Sequence, residues 1–333
     1  MRSQLRSRAV LVGAALAVAV LLVLVLTLGT GSAALAPDRV VATLLGQGTP
    51  QESLLVLQWR MPRALAAIVI GAALALSGSL FQLITRNPLG SPDVIGFSEG
   101  AYSGALVATL VLGGGTIATT TGAVVGGVAT ACVVFLLSGL RATGGYRFVI
   151  LGIAVSSALT AMNTWLLMVS GLEEALAAAQ WGVGSLNEVT WGTFLPAAAG
   201  IAVVAAVALL LGRPLGLYEL GDDAVRALGV HADAVRVAAA LAGVALVAIA
   251  TAAVGPIAFV ALVAPQLGRR LARSTGLAPA VSALSGALLL ATADLVAQRA
   301  FAPTPVPVGL VTVVLGGGYL AALLVRGARR SGR

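Results

Sequence analysis

The side chains best suited to chemistry in this sequence are arginines and carboxylates. Arg60, Arg63 and Arg299 stand beside long apolar runs, and Asp294 lies inside one, five residues before Arg299. A guanidinium binds a carboxylate through a two-bond fork. An arginine cluster at a membrane edge therefore suits acidic groups on a docking protein. The same arginines could instead snorkel to the interface or pair with Asp294. Asp294 could relay a proton in an ion-coupled transporter. With no histidine or second acid beside it, a structural partnership with an arginine is the better reading. Another group is Glu219-Leu220-Gly221-Asp222-Asp223. Asp222 and Asp223 suit a helix start, with Ala224, Ala227 and Leu228 forming a small apolar face that Gly229 ends. Such a helix must dock onto a partner or lie on lipid.

The remaining chemistry is limited by what is scarce. All 20 basic residues are arginine, so there is no P-loop and no Schiff-base lysine. One histidine, His231, and one cysteine, Cys132, cannot build a zinc, haem or iron–sulfur site or an internal disulfide. The expectation is no catalytic residue, no metal site and no cofactor held by this chain. A pI near 11.1 does not imply nucleic acid, because no basic cluster is interleaved with aromatics.

The elements that position these residues follow from composition. Hydrophobic residues make up 59% of the 333, charged residues 10%, and mean hydropathy is +1.03. A soluble surface needs about 25% charged residues, so the solvent here is largely lipid. Ten apolar runs predict an all-α polytopic membrane protein: 9–28, 64–83, 93–112, 117–137, 148–169, 193–211, 236–254, 256–268, 278–297 and 308–325. The third opens in a polar, glycine-rich stretch and the eighth is short, so both are expected to be irregular. Pro88, Gly90, Pro92 and Gly96 predict a turn before the third. Gly71, Ala75 and Gly78, and likewise Gly122 and Gly126, have the spacing that lets membrane helices touch backbone to backbone. With the N-terminus inside and strict alternation, sixteen arginines fall in inner segments and four outside: Arg39, Arg60, Arg63 and Arg299. That bias predicts both ends in the cytoplasm. The first run is too long for a signal peptide's apolar core of about 7–15 residues, so it is expected to remain as a span.

Several stretches together resemble one family. They are Arg60-Met61-Pro62-Arg63, Gly71 through Gly78, Gln82, Arg86-Asn87-Pro88-Leu89-Gly90-Ser91-Pro92-Asp93-Val94-Ile95-Gly96, Glu219–Asp223, Ala227–Val230, Gly255-Pro256-Ile257, Ala264-Pro265, Pro307-Val308-Gly309 and Gly316–Leu320. The resemblance is to the permeases of iron–siderophore, haem and vitamin B12 ABC importers, and it covers nearly the whole chain. Asn163–Leu167, Trp181 and Gly184-Ser185-Leu186-Asn187 point within it to the ferric enterobactin type. Gln266 and Pro305 depart from the family, where many members have histidine and glutamate.

The resemblance implies a type II ABC importer permease fold: one transmembrane domain over 1–333, with 212–235 as its cytoplasmic coupling loop. It implies two ATPase subunits that bind ATP and Mg, a sister permease forming a heterodimer, and an extracytoplasmic siderophore-binding protein. Arg60, Arg63 and Arg299 would meet acidic groups of that binding protein. Leu220, Gly221, Asp222, Asp223, Ala227, Leu228 and Gly229 would enter a groove on the ATPase. Ser156, Met162 and Asn163 would lie on the span that lines the pathway. The expected function is ATP-driven import of a ferric catecholate across the cytoplasmic membrane. The alternatives are an ion-coupled transporter using Asp294 and a membrane scaffold, for which the loops are too short.

Overall fold

A computed structural model describes residues 2–31, 33–139, 146–217, 231–274, 276, 278–300, 304 and 306–331. Helix α1 (Arg2–Gly29) leads through two short helices, α2 (Pro37–Leu44) and α3 (Pro50–Ser53), into a π-turn at Leu54–Arg60 and α4 (Met61–Ile84). Next come α5 (Phe97–Leu106) with a π-extension at Val107–Val111, α6 (Thr116–Ser138), α7 (Tyr146–Val169), α8 (Leu172–Gly182), α9 (Trp191–Leu210) and α10 (Gly212–Leu217). The described chain ends with α11 (Ala232–Val254), α12 (Val260–Ala272), α13 (Pro279–Arg299) and α14 (Val308–Ser331).

Each of the ten apolar runs coincides with a helix, but among the described residues only seven helices are long and apolar enough to cross a bilayer. The shortfall lies in the runs at 93–112, 256–268 and 308–325. Gly96, at φ 91°, delays α5 to Phe97. Gly255, at φ 75°, and Phe259, at φ 69°, hold a non-helical strip before α12, which has 13 residues. In the last run the apolar part is a shorter stretch, Val308–Ala322. Backbone left unpaired by such breaks must be buried in protein or face a cavity.

The centre is built on small residues. A Cβ on Gly71 would collide with the Gly286 carbonyl of α13, and one on Gly286 would collide with Gly71 in return. Gly78 sits against the Ala261 carbonyl of α12. Gly122 and Gly126 of α6 bear in the same way on Gly104 and Gly100 of α5. The predicted small-residue faces are therefore helix contacts, held by close dispersion where lipid supplies no hydrophobic drive. Phe81, Phe97 and Leu246 are fully buried among them.

Candidate transport site and its surroundings

At one end of the bundle two of the three singled-out arginines, Arg60 and Arg299, meet the C-terminus of α1, and the third, Arg63, turns to α13. Arg60 donates to the Leu28 carbonyl at 2.8 Å and the Ala33 carbonyl at 2.6 Å, taking up backbone acceptors that the helix end leaves unpaired. Arg299 is exposed, and its Nε donates to the Thr30 hydroxyl at 3.1 Å. Arg63 forks onto Asp294: Nη2 lies 2.8 Å from Oδ1, and Nε lies 3.2 Å from both oxygens. Gln298 donates to Asp294 Oδ2 at 2.7 Å. Asp294 is fully buried, so its charge is tolerated only because these donors satisfy it. The expected arginine partnership of Asp294 is present, and the partner is Arg63. Arg39, the fourth arginine expected outside, forks onto Glu52 at 2.6 and 3.0 Å. That hydrogen bond, backed by the carboxylate charge, raises the Arg39 pKa above its ordinary value. Glu52 in turn closes a capping box with Thr49.

Midway along the bundle, the predicted pathway residues divide. Met162 is exposed on α7, Ser156 is half-buried against Gly96, and Asn163 is buried. Asn163 accepts the Ser103 hydroxyl at 2.7 Å through Oδ1 and donates to Glu99 Oε2 at 3.2 Å. Thr160 lies alongside the same carboxylate. The sequence reading missed Glu99. It was legible as an acid inside the predicted span 93–112, four residues before Ser103 and so on the same face of a helix.

Between the centre and the opposite end, the end of α4 and the loop after it are bound to α12, which α14 holds in turn. Gln82 donates to the Leu262 carbonyl at 2.9 Å and accepts a very close hydrogen bond from Arg269. Gln266 donates to the Pro88 carbonyl at 2.7 Å and accepts from the Tyr319 hydroxyl at 3.2 Å. Arg270 lies 5.7 Å over the Tyr319 ring, a cation–π contact. Asp93 accepts the Ser98 hydroxyl at 2.7 Å and lies beside the Phe259 backbone, just before α12. The predicted turn is thus a bracket between three helices. Gln266, which stands in place of the family's histidine, is one of its struts. Arg8 of α1 reaches the Leu271 carbonyl at 3.2 Å and joins this arginine-rich end. Leu220, Gly221, Asp222, Asp223, Ala227, Leu228 and Gly229, expected from the sequence to couple to an ATPase, lie outside the described residues, as does Pro305.

Apolar helices with charge concentrated at the two ends, and a polar network within the bundle, define a polytopic membrane permease. The chain belongs to the FecCD transport family, whose model matches residues 18–326. It is 44% identical to the ferric enterobactin transport system permease protein FepG of Escherichia coli K12, over 90% of this chain and 91% of that one. The achromobactin transport system permease protein CbrC of Dickeya dadantii is 34% identical over 89% of this chain and 86% of its own. Among solved structures, an inward-facing conformation of a putative metal-chelate type ABC transporter superposes with a TM-score of 0.83. It is 27% identical and covers 94% of this chain and 98% of that one.

Proposed function

We propose that this chain is the membrane-spanning permease subunit of an ABC importer that carries a ferric catecholate siderophore into the cytoplasm. The observation that carries the reading is the 44% identity to a ferric enterobactin permease across nine-tenths of both chains. In this reading the chain performs no catalysis and binds no cofactor. ATP and Mg are handled by two partner ATPase subunits, and a sister permease completes the pathway. The protein sits in the cytoplasmic membrane with about ten spans, the short helices α5 and α12 included, and with both termini inside.

Import then proceeds by alternating access. ATP binding closes the ATPase dimer, and the segment 219–229 transmits that closure. The bundle then switches the side on which its cavity opens. The end bearing Arg60, Arg63 and Arg299 receives the siderophore-binding protein. Arg299 meets its acidic groups, while Arg60 and Arg63 stiffen the platform through the carbonyl and Asp294 contacts. The Asp294 alternative is not favoured, because a carboxylate fully engaged by Arg63 and Gln298 is a poor proton carrier.

The test is uptake of labelled ferric catecholate into proteoliposomes holding this chain, its sister permease and the ATPase, with binding protein outside. Uptake should require internal ATP, fall at least tenfold in Asp223→Arg, and weaken in Arg299→Glu only when delivery depends on the binding protein. Uptake driven by a proton gradient without ATP would overturn the assignment.

A further inference from the structure

Helix α1 lies at the edge of the bundle. It packs chiefly on α13, and only 11% of its spanning stretch, Arg8–Gly29, is buried. That stretch has 22 residues, about 33 Å at 1.5 Å per residue, close to the hydrocarbon thickness of about 30 Å. Arg8 therefore stands where the apolar layer gives way to phospholipid phosphates. Just past it, Val10 and Leu11 are 70% and 69% exposed. At this level Arg8 is fixed to a second helix. Its Nε donates to the Leu271 carbonyl in the last turn of α12 at 3.2 Å, above an apolar contact of Ala9 and Val12 with Ala272 and Val281. That bond leaves both Nη groups of Arg8 without a partner among the described residues. Arg273, just past Leu271, ends α12 in a left-handed turn at φ 50° and is exposed. No carboxylate among the described residues pairs with Arg8 or Arg273. Their neighbours are otherwise engaged: Arg269 bonds Gln82, and Arg270 lies over the Tyr319 ring.

We propose that Arg8 and Arg273 form a headgroup site for one anionic phospholipid, which bridges α1 to the end of α12. The guanidinium groups take the phosphate oxygens, and the acyl chains lie over Val10, Leu11 and Leu271, the last 48% exposed. Two features select a lipid over a free anion or an acidic protein group. The arginines stand at phosphate depth, and the site runs without a break into the lipid-facing side of α1. Such basic pockets between membrane helices suit anionic headgroups, at about 1 kcal/mol per arginine near the surface. The site is independent of the cargo, since it uses only the membrane-spanning character of α1 and its contact with α12.

The test reads this one site in the assembled complex. A bimane probe is placed on Leu11→Cys in a Cys132→Ser background, with the other subunits free of cysteine. In phosphatidylcholine bilayers, doxyl-chain phosphatidylglycerol should quench it at about one-tenth the mole fraction needed of doxyl-chain phosphatidylcholine. Arg8→Gln and Arg273→Gln should each cut that preference to about twofold or less. Quenching by the phosphatidylcholine should not change in either, which shows α1 still packed in place. Arg8→Lys keeps the charge and should keep most of the preference. Arg147→Gln, an exposed arginine of α7, should keep all of it, and excess inorganic phosphate should not compete. Equal quenching by the two lipids overturns the site. An equal loss in Arg147→Gln overturns it in favour of diffuse surface charge, and competition by phosphate overturns it in favour of a free-anion site. Preference retained in Arg8→Gln and Arg273→Gln, with weaker ATPase assembly, would overturn it by giving both arginines to that partner.

Discussion

Helices α4 and α7 draw on much the same residue types yet serve opposite purposes. The spanning window that ends in α4 is 78% buried, and that of α7 only 17%. In α4 the glycines and alanines bring backbones together, so geometry leaves almost no freedom at Gly71 or Gly78. In α7 one narrow face, with Phe148, Gly152, Asn163 and Leu166 buried, touches the bundle. Its exposed hydroxyls satisfy themselves: Ser157, Thr160 and Thr164 each donate to the carbonyl four residues back at 2.9 Å. The difference separates frame from periphery. Stability is concentrated where small residues interlock, and the outer α7 face, with its self-satisfied hydroxyls, is loosely attached.

Four substitutions would break or sharpen that contrast, all read by unfolding in mixed detergent micelles. The largest effect is expected from Arg63→Met, which leaves the Asp294 charge buried without its partner and should cost about 3–5 kcal/mol. Adding Asp294→Leu should restore most of that loss, since an apolar pair can replace a buried ion pair. Gly78→Val should follow at about 3 kcal/mol, because the Ala261 carbonyl cannot withdraw without moving α12. Gln266→Ala should cost about 1–3 kcal/mol by leaving the Pro88 carbonyl and the Tyr319 hydroxyl without their partner. Thr164→Val, on the α7 face, should change stability by no more than about 0.5 kcal/mol. If Thr164→Val proved as damaging as Gly78→Val, α7 would belong to the frame and the contrast would fail.

Much of the bundle was legible in the chain because lipid imposes simple rules. Each apolar run marked a helix, and glycine spacing marked the contact faces of α4 and α6, though not the helices they meet. The irregular third and eighth runs were also legible, from the polar, glycine-rich opening of the one and the shortness of the other. The partners of individual charges were less accessible. Arg63 and Asp294 are 231 residues apart, and in sequence Arg299 was the nearer candidate. Glu99 was overlooked because an acid near the start of an apolar run reads as an ordinary helix-start residue. Its significance comes from Asn163, 64 positions away. The bracket of Gln82, Pro88, Gln266 and Tyr319 likewise joins three segments that nothing local connects.

By itself the sequence determined that this is a lipid-solvated helical bundle, which turns break its helices, where its small-residue contacts lie, and to which transport family it is similar. Each of these follows from local composition or from spacing within one helix. Which arginine neutralises Asp294, which acid Asn163 engages, and how the loop after α4 is fastened were decided only by the tertiary structure. In a low-dielectric bundle a charge takes whichever donor packing brings within about 3 Å, and that donor is chosen by helix contacts, not by distance along the chain.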